Sequence, residues 1–474
     1  MTGANTASLE SLRSGGEEAG GAAIWRRAMI AVGLSLAVRL IWSSMAHVTP
    51  FSDFAAYDHY AWKWLSTGRF EGAFRTPGYP GFLAAIYWLF GHSVRAAQIV
   101  QASIGAITSG LVVLLAGRVA SPRTAGIAGV VHALWPTSIV YVAILASENV
   151  ATPLLVGVLL AVTSEGASWR RRAWGTGLGG VLFALLLLVR PACVAFLPAV
   201  ALLAVWEPRR GRLSLKPALV CAAAGLVTMA PWMMHNYRSG LGVATIATTG
   251  GVNLWMGNSD SARTGGYGGG YSAAQEAGFA SEEKERDEDL KAEGLRWIVG
   301  HPGRYLALCA VRTARMWGTT ADGIAARFLW PTAANDALLV SSDGRRYPDE
   351  QTRTASHELI AGHRALLRWT RVVLAPLMLL AFALCLRSFR RYAPVTLPVL
   401  CYAGFLAATY FLERLRELSN PLVLVSLAIL LSDLALGTAE LPGSRRMKVS
   451  LAAAAVAVSV VLRITHWDSS LYRL

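Results

Sequence analysis

The sequence predicts an all-α, polytopic membrane protein with about eleven transmembrane helices, from apolar runs of spanning length and the charges between them. Of 474 residues, 54% are hydrophobic and 15% charged, where soluble domains carry roughly 25% charged residues. The basic residues form short clusters between the apolar runs, which is a topology signal. The formal net charge of +15 therefore belongs to membrane connections and not to a nucleic-acid surface. Five cysteines, Cys193, Cys221, Cys309, Cys385 and Cys401, form no CxxC and no Cys/His pair at ligand spacing. They read as unreactive thiols, with no disulfide framework and no metal site.

Residues 1–24 are small and polar and read as a disordered, cytoplasmic N-terminus. Arg26 and Arg27 then precede an apolar run over 28–46, which is too long for a signal-peptide core and reads as a retained span. Further runs lie at 94–117, 124–145, 149–163, 174–206, 217–235, 370–386, 393–412, 420–437 and 450–464. At ~1.5 Å per residue the run over 174–206 would measure about 50 Å, against a hydrocarbon core of ~30 Å. Arg190-Pro191 interrupts it, so the segment reads as a hairpin of two short spans. With that hairpin, the clusters at Arg118/Arg123, Arg170–Arg172, Arg209–Lys216, Arg387–Arg391 and Arg445–Lys448 all share the side of Arg26. The positive-inside rule then makes that side cytoplasmic, in the plasma (inner) membrane, and leaves the C-terminal tail outside.

This organisation gives an N-terminal transmembrane module over 25–236, an extracytoplasmic loop domain over 237–369, and a C-terminal transmembrane module over 370–474. The first outer loop, 47–93, carries two interfacial helices. The third outer region is the short connection Glu413-Arg414-Leu415-Arg416-Glu417. Arg190, Arg414 and Arg416 thus stand on the side that should be poor in arginine, which marks them as functional candidates. Within the long segment, Gly250 to Gly270 reads as a glycine-rich stretch and Ser281 to Lys291 as a charged helical run. Arg304, Arg312 and Arg315 with Trp297 and Trp317 read as a helix at the membrane surface.

In the first loop, Ser52 is placed to cap a helix on which Asp53, Tyr57, Tyr60 and Trp64 share one face. A carboxylate heading an aromatic stripe suits a sugar, with ring faces against apolar patches and the carboxylate on a hydroxyl. The same pattern suits a helix whose aromatics anchor at lipid headgroups and whose acid favours the helix N-terminus. Asp58 lies about 140° from Asp53 around the helix, so the two are not expected to form a close carboxylate pair. Arg75-Thr76-Pro77-Gly78-Tyr79-Pro80-Gly81 fixes a turn before a short amphipathic helix. Glu148 sits at an outer mouth between two spans, where an acid also snorkels without a role. The guanidiniums of Arg190, Arg414 and Arg416 have the bidentate geometry for a phosphate, and equally for ion pairs with Glu413 or Glu417.

In their order along the chain these segments resemble the GT-C superfamily of membrane glycosyltransferases. The branch they resemble contains protein O-mannosyltransferases and lipid-A aminoarabinose transferases. The resemblance rests on Asp53 and Tyr57 after the first span, "RTPGYPGFLA…LFG" (75–91), "LWPTSIVY…SE" (134–148) and "VRP" (189–191). It continues through "PWMMHNYRSG" (231–240), "TTGGVNLWMGN" (248–258), "HPGRYLAL…VRTARMW" (301–317) and "ERLRELSNP" (413–421). It implies a GT-C-like fold and transfer of a sugar from a polyprenyl-phosphate donor to a hydroxyl or phosphate of a lipid, glycan or protein acceptor. The transfer would take place at the outer membrane face, by inverting displacement. Asp53 would be the catalytic base. Tyr57, Tyr60, Arg75, Tyr79, Glu148, Arg190, Arg414 and Arg416 would contact substrate, with the arginines neutralising the departing phosphate. Asp58, Asn236 and Asn253 complete the implied set. No cofactor is called for by the residues, although some members of the superfamily use a divalent cation. In the mannosyltransferase branch an acidic residue follows the first Asp. Phe54 stands there in this chain, which favours a bacterial lipid- or polysaccharide-directed relative.

Two other readings remain open on sequence. A transporter or flippase of a lipid-linked sugar also carries charges among its spans, usually near the midplane between related halves. An O-antigen-type glycan ligase or polymerase would share the same outer cavity.

Overall fold

A computed structural model describes residues 3–46, 50, 52–70, 72–164, 169–207, 212–243, 245–260, 262, 283–318 and 373–464. Among the described residues the architecture is helical, as a bilayer demands of backbone that has no water to bond. The extended structure among them is a two-residue antiparallel ladder pairing Trp206 with Leu213 and Glu207 with Arg212. Residues 263–270 of the glycine-rich stretch, Ser281 and Glu282 of the charged run, residues 319–369 of the long outer segment and the C-terminal tail from residue 465 lie outside the described residues.

The chain begins with α1 (Gly3–Met45), α2 (Ser52–Thr67), α3 (Gly78–Phe90), α4 (Val94–Val119), α5 (Pro122–Ala133) and α6 (Pro136–Val140). It continues through α7 (Glu148–Val162), α8 (Trp169–Val189), α9 (Leu197–Val205), α10 (Leu215–Arg238) and α11 (Gly250–Gly257). Two further helices follow, α12 (Glu283–Gly300) and α13 (Pro302–Gly318), then α14 (Ala375–Leu386), α15 (Phe389–Ala408), α16 (Asn420–Leu436) and α17 (Arg445–Ile464). Gly21–Met45 of α1, α4, α8 and α10 are each long and apolar enough to cross a membrane, and a fifth is made by α5 with the segment Pro136–Ala143 if their 54° bend is one broken span. Pro136 accounts for the bend, because its ring cannot continue the preceding helix. The other apolar helices coincide with runs read from the sequence, but α7, α14 and α16 have 15, 12 and 17 residues, short of the ~20 that span unaided.

Two expectations need correction. Residues 3–24, expected to be disordered, continue α1 towards the N-terminus. A helix already nucleated in an apolar span propagates outward at little further cost. The glycine-rich stretch begins as α11, where the Asp287 carboxylate accepts from the Gly251 amide at 2.6 Å at the first turn. Arg312 does not lie on a membrane-surface face. It is 1% exposed and donates to the carbonyl oxygens of Ala407, at 2.9 Å, and of Gly257.

The turn expected at Arg190-Pro191 is present. Helix α8 stops at Val189, Arg190 is extended (φ −151°, ψ 99°), and a 3-10 turn over Pro191–Phe196 leads into α9. Arg172, near the start of α8, donates to the carbonyl oxygens of Ala204 and Trp206 at 3.0 and 2.8 Å. The end of α9 has therefore returned to the level at which α8 began.

The bundle has two chemically distinct ends. At one, Arg118 donates to the Thr163 carbonyl at 2.9 Å, Arg391 donates to the Val119 carbonyl at 2.8 Å and pairs with Glu440, and Lys448 pairs with Asp433 at 2.6 Å. This end collects the basic connections. The other end is formed by α2, α3, the Arg190 turn and a 3-10 turn over Glu413–Leu418.

Candidate functional site

Asp53 occupies the first turn of α2, where the free amides and helix dipole favour a carboxylate. Its Oδ1 accepts from Arg75 at 2.5 Å and its Oδ2 from Arg414 at 2.5 Å. Arg75 comes from the turn before α3 and Arg414 from the Glu413–Leu418 turn, so three distant segments meet at one carboxylate. Arg414 Nε lies 4.0 Å from Glu148 Oε1, and that oxygen is 3.0 Å from Arg190 Nη1. Arg75, Asp53, Arg414, Glu148 and Arg190 thus form a line of alternating charge with a cation at each end.

Exposure falls along this line from Asp53 to Glu148. The side chains of Asp53, Arg75 and Arg414 are 25%, 19% and 19% exposed, while Glu148 is only 2% exposed. Burial alone would raise the Asp53 carboxyl. The Arg414 and Arg75 guanidiniums outweigh that by charge and hydrogen bonding, and hold it well below the usual carboxylate range. Buried charges of this kind persist only when each is paired, because removing either partner strands the other.

Local sequence explains the placement. Pro77 and Pro80 flank the start of α3, and Gly78 sits against the end of α8, where a Cβ would come 2.6 Å from the Val189 amide nitrogen. That approach brings the Arg75 turn beside the Arg190 turn. Tyr79 is fully buried and donates to Gln101 Oε1 at 2.6 Å, while the Gln101 amide donates to the Val142 and Ile144 carbonyls at 3.0 Å each. These bonds hold the chain between α6 and α7 just ahead of Glu148. Ser147 receives a hydrogen bond from Arg190 at 2.9 Å.

The aromatic stripe of α2 also takes up the expected face. Tyr57 meets Tyr79 edge-on at 4.9 Å, and the Arg75 guanidinium lies 5.2 Å from the Tyr57 ring centroid. Tyr60 and Trp64 flank Phe70 at 6.0 and 5.0 Å, and Phe70 abuts Trp232 of α10 at 5.8 Å. Cation–aromatic and edge contacts of this kind fix ring orientation as well as add stability.

The structure therefore brings together Asp53, Tyr57, Arg75, Tyr79, Glu148, Arg190 and Arg414. Asp58 faces away from this cluster. It accepts from the Tyr87 hydroxyl and lies 2.9 Å from His92 Nε2, whose ring stacks on Trp62. Arg416 is buried beside Met378, 3.7 Å from its sulfur, and not against Asp53. Asn236 is buried and donates to the Thr245 carbonyl at 2.6 Å, pinning the loop after α10. Asn253 lies on α11, with its amide bonded to the Thr249 carbonyl at 3.1 Å. Asp53 and Glu148 are each engaged by guanidiniums and no third acid or imidazole among the described residues joins them, which is a poor donor set for a divalent cation. Among the described residues there is no group of three or more His, Cys, Asp or Glu that could hold a metal ion.

Four residues around the site were assigned no role from the sequence. Ser147 stood only as part of the "SE" that ends at Glu148, and Gln101 is a polar residue in an apolar run with no motif of its own. Glu417 is buried and accepts from Ser138 at 3.1 Å and Asn420 at 2.9 Å. Arg39 is fully buried in the first span, and a lone arginine inside an apolar run is the signal that could have found it.

A multi-pass helical membrane protein with a paired-charge site at one end of its bundle is the class these observations define. Residues 75–235 match the family model described as dolichyl-phosphate-mannose-protein mannosyltransferase, a stretch that holds Arg75, Tyr79, Glu148 and Arg190 and begins after Asp53. Over that stretch, about a third of the chain, the protein is similar to that family. Among solved structures it is similar to ArnT from Cupriavidus metallidurans bound to undecaprenyl phosphate, at 16% identity over 86% of this chain and 79% of that one, with a TM-score of 0.37. It is also similar to the archaeal oligosaccharyltransferase AglB from Archaeoglobus fulgidus, in complex with an inhibitory peptide and a dolichol-phosphate. That likeness has 13% identity over 95% of this chain and 56% of that one, with a TM-score of 0.42. Similarity at this level does not define a shared fold. No curated protein matches the chain.

Proposed function

We propose that the protein transfers a sugar from a polyprenyl-phosphate donor to an acceptor hydroxyl or phosphate on a lipid, glycan or protein. The site end of the bundle would face the extracytoplasmic side of the plasma membrane, with the N-terminus in the cytoplasm. The observation that carries this reading is the engagement of both Asp53 oxygens by Arg75 and Arg414, with Arg190 linked through Glu148. The line of five charges sums to one positive charge, which complements the single negative charge of a sugar phosphodiester.

Charge would then move as follows. The donor phosphodiester approaches the arginines and competes with Asp53 for Arg414. As Arg414 turns to the phosphate, Asp53 loses one of the two cations that make it a weak base, and it accepts the proton of the acceptor hydroxyl. The acceptor oxygen forms its bond to the anomeric carbon from the face opposite the leaving group. The bond from that carbon to the phosphate oxygen breaks, and its electron pair leaves on the polyprenyl phosphate. The added negative charge on that phosphate is stabilised by Arg414 and Arg190. Tyr57 and Tyr60 offer ring faces to the sugar. Charges gathered at one end of the bundle favour this reading over transport, which uses a site near the midplane.

The test is conversion of a polyprenyl-phosphate sugar by the purified protein, with the wild type compared with Asp53→Asn. New glycosidic product from the wild type and its loss in the variant support the reading. Movement of intact donor between leaflets with no new bond would favour the transporter.

A further inference from the structure

Behind the charged line lies a cavity of about 30 Å³ that the chemistry above does not use. Its walls include Arg39 of α1, Gly105 of α4, Tyr141 after α6, Glu148 of α7 and Glu417 of the Glu413–Leu418 turn. Arg39 is fully buried in the first span, where a cation without partners is expensive. One of its terminal nitrogens donates to Ser35 Oγ and to the Ala133 carbonyl, the latter at 3.0 Å. Its Nε and other terminal nitrogen make no hydrogen bond, and neither does the Tyr141 hydroxyl, which is 2% exposed. Gly105 leaves space for the guanidinium, since a Cβ there would lie 2.7 Å from Arg39 Nε.

Glu417 stands on the other wall, three residues after Arg414 in the same short turn. It is 4% exposed and lines the same cavity as Arg39. A polar space of this size holds one or two waters, which bridge donors and acceptors too far apart to bond directly.

We propose that Arg39 is a positioning residue. Through water in this cavity it ties Glu417, and with it the Glu413–Leu418 turn, to α1, and so fixes the place from which Arg414 reaches Asp53. The first span thereby sets the geometry of a residue that touches substrate without touching substrate itself. The planar fork of the guanidinium supplies two further donors at a fixed angle, which a lysine ammonium does not reproduce. The value of this arrangement to catalysis rests on the proposed role of Arg414 as a phosphate contact.

The experiment uses the full chain in lipid nanodiscs and reads hydrogen–deuterium exchange of the Glu413–Leu418 turn alongside kcat and KM for a polyprenyl-phosphate sugar. Arg39→Met is expected to speed exchange of the turn about tenfold, with protection of α4 and α10 kept. It should raise donor KM more than it lowers kcat, and Arg39→Lys should recover part of both. Glu417→Gln keeps the side-chain shape and should give the same local loosening, and the double variant should be no worse than either single one. Wild-type exchange of the turn in Arg39→Met overturns the proposal, as do effects that multiply in the double variant. If Arg39→Met loses protection throughout, Glu417→Gln decides, and an unchanged turn there also overturns the proposal. If the wild type transfers no sugar, the transferase reading falls, while the exchange comparison still decides whether Arg39 holds the turn.

Discussion

Arg414 and Asp53 are separated by 361 residues in sequence and meet at 2.5 Å. This ion pair joins α2 to the Glu413–Leu418 turn. It also makes Asp53 a weak base until something more anionic draws Arg414 away. Charge and connectivity therefore act on the same two residues.

The acid limb of activity should report this pair. In the free protein the lowered Asp53 carboxyl places the acid limb of kcat/KM below the ordinary carboxylate range. Arg414→Met removes one of the two cations, so the limb should move up towards a pKa of about 4. A pH–rate profile that stays where it was would separate the limb from Asp53.

The same shift has a sign for stability. A carboxyl with a depressed folded pKa stabilises the native state above its unfolded value of about 3.9, and that stability is lost as pH falls through the folded pKa. Asp53 should therefore contribute fully across neutral pH and show its loss only in strong acid. Asp53→Asn should lower the thermal midpoint at pH 7, because Arg75 and Arg414 are then left facing each other. The difference from wild type should shrink as pH falls below about 3.

Glu148 and Arg190 are the most buried pair of the line, 2% and 10% exposed at the side chain. Glu148→Ala strands Arg190 and should destabilise the protein by about 3–5 kcal/mol, measured by denaturation in detergent. Glu148→Gln retains a hydrogen-bond acceptor and should cost less. Equal effects of the two substitutions would mean that the retained acceptor contributes nothing and that the loss of charge accounts for the whole effect.

Gly78→Ala tests how the Arg75 turn is held. The new methyl would lie 2.6 Å from the Val189 amide nitrogen, so α3 or α8 must shift, at a cost of about 1–3 kcal/mol. Donor KM should rise with it, since the shift separates Arg75 from the Arg190 turn. A variant with wild-type stability and KM would show that this close approach is dispensable.

The sequence carried much of this in its pattern. Apolar runs located the helices, and the anomaly of arginines on the arginine-poor side singled out Arg190 and Arg414. The 3.6-residue period put Tyr57 on the face of Asp53 and turned Asp58 away. Pairing was out of reach, because periodicity says nothing of which distant segments meet. Nothing in "ERLREL" distinguishes Arg414, which reaches Asp53, from Arg416, which is buried beside Met378. Arg39 was hidden for a related reason, since an apolar average over the first span absorbs a single charge. Gln101 is likewise legible only once its amide is seen bonded to the Val142 and Ile144 carbonyls.

The decisive observation is sugar transfer itself. The measurement is release of polyprenyl monophosphate, with formation of a glycosylated product, from a panel of undecaprenyl-phosphate sugars. It uses purified wild type and Asp53→Asn in proteoliposomes supplied with total envelope lipid and glycan as acceptor. The wild type is expected to turn over at least one donor, with turnover reduced by about 10²–10⁴-fold in Asp53→Asn, the range expected for loss of a general base, and with donor binding retained. Full turnover by Asp53→Asn would contradict the catalytic role of Asp53, and intact donor carried between leaflets without a new bond would contradict the transferase.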